Sequence, residues 1–381
     1  MINYLRNLAY NYNRYRSHPE AVVVACYFNP QQSTYRLKAF KDFYESIRHL
    51  NHYIIEGVIG DSRPQLTGSN VHHVYTKSLL WHKESLLNLA VDRLSAKYKY
   101  VFWLDADVRF TNLNWMVDGV KEFKRGANIL QPFEYCYHLD QYETEPDYDV
   151  KEAVREFIKY GTRKPQMWRS FCANCVDDDI AANSKDYNTH GHVGFAWAAK
   201  RSVITKVRLY DKALIGGADH IIAHAAAGQI PCSCINKSFT ADLDNVYDWS
   251  KRFSDVVKGK IAYVKGNLYH TWHGDIEKRQ YLKRIQDFTP VTKEITEKDA
   301  NGLYVTKGPD IPYIKDYFDH REMKGPVTKP TVKSTYRPTV VRSNSSPVTH
   351  TDHYHYIHTG GSSSKSSSSA GYDNNATETC S

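Results

Sequence analysis

Asp105-Ala106-Asp107 follows the apolar run Val101-Phe102-Trp103-Leu104. In an extended segment, side chains two apart point the same way, so both carboxylates can converge on one hard cation that prefers oxygen ligands. A divalent ion held there can bridge the two phosphates of a nucleotide diphosphate and neutralise charge growing on a leaving group. A carboxylate pair that merely caps the next helix is the competing reading. Gly216-Gly217-Ala218-Asp219-His220 places a second carboxylate on a flexible turn that opens a helix, where Asp219 can accept a proton from an attacking hydroxyl or serve only as a cap. His270-Thr271-Trp272-His273 supplies two imidazoles, one of which can complete a metal site. Lys83 and Asn88, on the helix before the Asp-Ala-Asp strand, can reach a nucleotide phosphate or base.

These residues need a scaffold, and the apolar pattern predicts one. Ala21–Tyr27 reads as a strand buried on both faces, as in parallel sheets. Helix 34–50, strands 53–59 and 71–75, helix 79–94, strand 100–104, helix 115–123 and strand 129–133 follow. A strand-like stretch over 193–199, a helix over 221–227, a short strand over 268–272 and a basic helix over 276–285 complete the pattern. Alternating strands and helices predict an α/β fold with an open, mostly parallel central sheet flanked by helices. Such sheets bind ligands outside the carboxyl ends of their strands, where Asp105 and Asp107 fall. Residues 134–190 read as irregular, polar and aromatic, a long loose segment of the kind that is usually functional or mobile. Trp168, Trp197 and Trp249 are candidate ligand-stacking surfaces, with core packing the competing role for Trp197.

The 381 residues carry 41% hydrophobic and 24% charged side chains, an ordinary globular balance. No run of about 18 apolar residues predicts a membrane span, and residues 1–10 lack the apolar core of a signal peptide, so a cytoplasmic setting is expected. The net charge of +8 is scattered rather than striped, which argues against a nucleic-acid partner. Residues 1–19 read as a polar lead-in. From residue 326 onward Pro, Thr, Ser and His dominate, predicting a disordered tail over 326–381. Seven cysteines include Cys172-x-x-Cys175 and Cys232-x-Cys234, readable as a zinc site or as reduced thiols.

The segments Trp81–Asn88, Val101–Trp115, Gly191–Arg201, Ile215–Ala225 and Tyr269–Arg284, in this order and spacing, resemble GT-A glycosyltransferases of the bacterial and viral galactosyltransferase-like type (glycosyltransferase family 2/7-like). The resemblance spans about residues 20–325 and leaves out the tail. It implies a GT-A, Rossmann-like domain and metal-dependent transfer of a sugar from a nucleotide-diphosphate sugar, UDP-sugar favoured, to an acceptor hydroxyl with inversion. A glycan, glycoprotein or glycolipid would be the acceptor, and the host cytoplasm the setting if the chain is viral. It further implies that Asp107, with or without Asp105, binds Mn2+ or Mg2+. His273 would be the third protein ligand and Asp219 the base, with Tyr27, Asn29 and Lys83 around the nucleotide. The galactosyltransferase type usually carries Glu-Asp at the turn where this chain has Ala218-Asp219. A non-catalytic nucleotide- or carbohydrate-binding protein on the same fold is the alternative. A nucleotidyltransferase ranks last, because Tyr27-Phe28-Asn29-Pro30 lacks the glycine-rich loop such enzymes carry after the first strand.

Overall fold

The computed structural model describes residues 14–146, 148–160, 166–177, 190–240, 242–280, 283–285 and 296–321. The expected tail over 326–381, residues 1–13 of the lead-in and parts of the 134–190 region lie outside the described residues.

The chain begins with β1 (Ala21–Tyr27), six of whose seven residues are buried. Ser33 caps α1 (Thr34–Ile47) by accepting from the Arg36 backbone N–H at 3.4 Å. The helix buries Tyr35, Ala39, Phe40, Phe43 and Ile47, one stripe at helical spacing. β2 (His52–Ile59) and β3 (Val71–Thr76) follow.

α2 (Lys83–Arg93) starts later than the apolar pattern from residue 79 predicts. Tertiary contacts hold residues 78–81 out of the helix. The Leu79 N–H donates to Asp310, the Trp81 N–H donates to the Leu214 carbonyl, and Ser78 Oγ lies 3.0 Å from Thr306 Oγ1.

β4 (Tyr100–Leu104), β5 (Val108–Phe110), α3 (Trp115–Arg125) and β6 (Ile129–Gln131) come next. The region expected to be irregular holds β7 (Tyr135–His138), α4 (Val150–Tyr160), β8 (Met167–Arg169) and α5 (Phe171–Asp177). Then follow β9 (Ala196–Lys200), α6 (Arg201–Val207), α7 (Ala218–Ala226), α8 (Ser233–Ser238) and α9 (Leu243–Val257). β10 (Ile261–Tyr263) and β11 (Asn267–His270) precede a 3-10 turn at Ile276–Arg279 and helical residues 283–285, within the span 276–285 expected to be a basic helix, of which 281–282 lie outside the described residues. The hairpin β12 (Thr296–Lys298) and β13 (Tyr304–Thr306) leads to α10 (Pro312–Arg321).

The main sheet runs β10-β6-β9-β4-β1-β2-β3. Only β9 is antiparallel to its neighbours, β4 and β6. Both faces are covered by apolar clusters: α2, α6, α7 and α9 contribute to one, α1 and α3 to the other. This explains why β1 and β4 read as continuous apolar runs rather than alternating ones. The mostly parallel α/β sheet flanked by helices is the architecture expected.

A second sheet runs β5-β11-β7-β8. It continues the chain from the Asp-Ala-Asp strand end and brings β11 beside it. The lead-in residue Tyr15 buttresses this sheet: its hydroxyl accepts from the Phe110 N–H and donates to the Phe110 carbonyl. None of the helices among the described residues is long and apolar enough to cross a membrane.

Candidate active site

Strand register assembles the site. Past the last β4–β9 pair, Leu104 opposite Ala196, the Asp105 N–H still donates to the Phe195 carbonyl at 2.7 Å. The chain then turns through Asp107 into β5, which pairs antiparallel with β11 so that Val108 faces His270. The Thr271 N–H donates to the Asp107 carbonyl at 2.8 Å. This pairing places Asp107 Oδ2 3.0 Å from His273 Nε2 and 3.8 Å from His270 Nε2. One ligand atom from each of Asp107, His270 and His273 lies within 4.8 Å of the others, and all three residues are buried or nearly so.

These three side chains suit a divalent metal. Arg279 Nη2 lies 3.1 Å from His273 Nε2. A guanidinium has no acceptor, so His273 Nε2 presents a lone pair to it. Arg279 holds that lone pair here, so a metal ion would take it over from the guanidinium, with Asp107 Oδ2, 3.0 Å from the same nitrogen, as a second ligand atom. Asp107 Oδ1 is buried and makes no hydrogen bond. One carboxylate with two imidazoles is a donor set that Mn2+ accepts more readily than Mg2+, which favours oxygen.

Asp105 points elsewhere. Lys83, in the first turn of α2, reaches Asp105 Oδ1 at 2.7 Å and Asp219 Oδ2 at 2.8 Å. Burial alone would lower the Lys83 pKa, but Asp105, Asp219 and Glu84 outweigh it and hold the ammonium well above its ordinary value. Burial pushes the Asp105 carboxyl up to about 6, against the pull of Lys83 and with the push of Asp219 and Asp107. Burial likewise raises Glu84 to about 8, against Lys83 and with Asp219 adding to the rise.

Asp219 is 3% exposed and sits in the first turn of α7, which begins at Ala218 rather than at 221 as expected. Gly216 and Gly217 before it both have φ of 94°. A Cβ on Gly217 would meet Ile285 Cδ1 at 2.5 Å. The turn therefore favours glycine for its left-handed backbone, and Ile285 would have to shift to admit a side chain there.

Asp105, Asp107, Lys83, Tyr27, His270 and His273 line one cleft. Arg36, Arg279, Arg284, Arg321 and the aromatic Trp81 also line it. Arg284 and Arg321 lie 5.2 and 4.8 Å from the Trp81 ring centroid, and both donate to the Tyr317 hydroxyl. Sequence reasoning missed these arginines. Arg321 comes from α10 and Arg36 from α1, and neither stands in a motif. For those two the only signal is the mild positive charge of the chain, whereas Arg279 and Arg284 fall in the basic stretch 276–285, read there without a role.

Two expected nucleotide contacts are placed otherwise. Asn29 is buried in the loop after β1. Its amide donates to the Tyr27 hydroxyl, the Ser33 carbonyl and Gln65, and its oxygen accepts from the Ser33 N–H. Tyr27 lines the cleft while its hydroxyl donates to Gln65 Oε1 at 2.9 Å. Asn88 pairs both ways with the Leu209 backbone, at 3.0 and 2.9 Å, and clamps α2 to the segment after α6, away from the cleft. Trp197 and Trp249 belong to the core. Trp168 is half-buried, 4.9 Å from the His138 ring in an edge contact.

No family model matches the chain, and no curated protein matches it. Among solved structures it is similar to S. aureus TarS, at 9% identity and a TM-score of 0.34. That match covers 67% of this chain and 37% of TarS, so it spans little more than a third of that protein. It is also similar to Mycobacterium tuberculosis glucosyl-3-phosphoglycerate synthase in complex with Mn2+ and UDP-Glc, at 11% identity over 80% of this chain and 89% of that one, TM-score 0.36. Rubrobacter xylanophilus mannosyl-3-phosphoglycerate synthase is similar at 13% identity over 73% and 72% of the two chains, TM-score 0.34. These likenesses are distant, and the functional reading rests on the chain's own side chains.

Proposed function

We propose that this chain is a glycosyltransferase of the GT-A type, moving a sugar from a nucleotide-diphosphate sugar to an acceptor hydroxyl. The observation that carries it is the convergence of Asp105 and Asp107, at the carboxyl end of β4, in one arginine-lined cleft, with the buried Asp219 joined to Asp105 through Lys83. Asp107 stands with His270 and His273, and Asp219 stands across Lys83 from Asp105.

Asp107, His270 and His273 would hold Mn2+ or Mg2+. When bound, such an ion supplies positive charge to the donor's diphosphate. Arg279, Arg284 and Arg321 add fixed charge for the same phosphates, in a partly desolvated cleft where it acts more strongly than in water. Lys83 fixes the orientation of the Asp219 carboxylate through a 2.8 Å ion pair. Asp219 takes the proton of the acceptor hydroxyl as its oxygen bonds to the anomeric carbon, while the bond from that carbon to the phosphate oxygen breaks and its electron pair leaves with the diphosphate. Displacement from the opposite face inverts the anomeric centre. UDP is the favoured nucleotide, and a glycan, glycoprotein or glycolipid the acceptor class, with the cytoplasm the proposed site of action.

The test is release of nucleotide from UDP-, GDP-, TDP- and CMP-sugars by the purified full chain, with and without Mn2+. Turnover of one donor that requires Mn2+ and fails in both Asp107→Ala and Asp219→Ala supports the proposal. Equal turnover in wild type and both variants overturns it.

A further inference from the structure

A second buried cluster lies on the far side of the Asp219 helix, and the catalytic reading does not use it. His220 and His224 are four residues apart on α7 and therefore share a face. His190 comes from the segment ahead of β9, and Cys234 from the first turn of α8. One ligand atom from each lies within 4.8 Å of all the others. The three imidazole centroids are each 5.0 Å from the other two. Cys234 Sγ is 3.2 Å from His224 Nε2. His190, His220, His224 and Cys234 are all between 0% and 4% exposed.

We propose that His190, His220, His224 and Cys234 form a structural zinc site, closed by four protein ligands and separate from the metal position at Asp107. Zinc with bonds of about 2.0–2.1 Å to nitrogen and about 2.3 Å to sulfur brings tetrahedral ligand atoms roughly 3.3–3.8 Å apart. The cluster reaches that spacing by side-chain adjustment of about an ångström.

The outer partners are those a zinc-bound histidine needs. His190 Nδ1 lies 2.8 Å from the Gly191 carbonyl, which only accepts, so Nδ1 carries the proton and Nε2 keeps its lone pair. His224 Nδ1 lies 2.9 Å from Gln229 Oε1, with the same consequence for the nitrogen that faces Cys234. Sequence spacing suggests a site built from Cys172, Cys175, Cys232 and Cys234. The fold keeps Cys234 but supplies histidines in place of the Cys172–Cys175 pair, neither of which belongs to the group of close ligand atoms. Cys232, with its sulfur 3.4 Å from that of Cys234, is a bystander.

With no open position, the ion's role is to brace α7, whose first turn carries Asp219, against α8 and the segment entering β9. The inference does not depend on glycosyl transfer.

The experiment is elemental analysis of the full chain, produced in zinc-supplemented medium and purified without an immobilised-metal step. About one zinc per chain is expected in the wild type and in Asp107→Ala and Cys232→Ser, and loss of it in Cys234→Ser and His224→Ala. Should the last two fail to fold, Co2+ exchanged into the wild-type chain is read instead. Intense ligand-field bands with a thiolate-to-cobalt charge-transfer band support the site. A chain that holds no zinc and gives no such band overturns it. So does zinc that vanishes in Asp107→Ala, or that persists in folded Cys234→Ser and His224→Ala.

Discussion

Asp107 Oδ2 and His273 Nε2 lie 3.0 Å apart because β5 and β11 pair antiparallel with Val108 opposite His270. The carboxylate and the imidazole are far apart in the sequence, and a strand ladder brings them together.

Replacing Asp107 by Ala is expected to remove Mn2+-dependent nucleotide binding, weakening it at least about 100-fold, the upper range for loss of merely supporting groups at metal sites. His270→Ala and His273→Ala are expected to fall in the same direction. Because two of the three donors are imidazoles, Mn2+ should support tighter binding than Mg2+ at equal concentration. Calorimetric titration of the nucleotide diphosphate with each metal checks both points. Equal affinity in wild type and Asp107→Ala would remove Asp107 from the metal site.

Asp219→Asn keeps the shape of the side chain and removes its basicity. The expected outcome is a fall in kcat of about 10²–10⁴-fold, with donor binding close to that of the wild type. Steady-state kinetics alongside a direct binding measurement separates the two. A loss of donor affinity with kcat preserved would make Asp219 a binding residue.

Glu84 gives a pH dependence with a definite sign. Burial raises its pKa from 4.5 to about 8 in the folded chain. Between those values the folded state binds more protons than the unfolded one, so its contribution to stability declines as pH rises from about 4.5 to about 8. Glu84→Gln removes that titration. Its melting temperature should fall less than that of the wild type between pH 5 and pH 8, measured by thermal unfolding without metal. Parallel pH profiles for the two proteins would refute this.

Gly217→Ala tests the turn that presents Asp219. The residue holds φ at 94°, and an added Cβ would meet Ile285 Cδ1 at 2.5 Å and Phe239 at 3.2 Å. The left-handed backbone alone costs about 1–2 kcal/mol, and the clash adds to it. Denaturant unfolding should show a loss of at least that size, and kcat should drop as the start of α7 shifts. An unchanged unfolding midpoint would mean the turn tolerates a side chain.

Local chemistry fixed much of this protein in advance. Continuous apolar runs at Ala21–Tyr27 and Tyr100–Leu104 forecast strands buried on both faces, and the alternation of strands and helices forecast the parallel sheet. The position of Asp105 and Asp107 at a strand end is likewise a property of the local sequence, since an apolar run stops where the charges begin. What the sequence did not contain is long-range pairing. The second sheet depends on β7 and β8 meeting β11, so residues 134–190 look irregular in isolation although the described residues among them hold two strands and two helices. For the same reason Asp105 and Asp107, two residues apart in one motif, have different partners: β5–β11 register gives Asp107 to the histidines, while α2 gives Asp105 to Lys83. Asn29 was expected near the nucleotide from the family resemblance, and Asn88 from its place on the helix before the Asp-Ala-Asp strand. Only tertiary packing assigned their hydrogen bonds to Ser33 and Leu209 backbones. Cys234 is the clearest case: its spacing from Cys232 suggested a partner cysteine pair, and the packing of α7 against α8 gave it histidines instead. Spacing along a chain constrains which residues share a face, but contacts between elements far apart in sequence decide which of those faces meet.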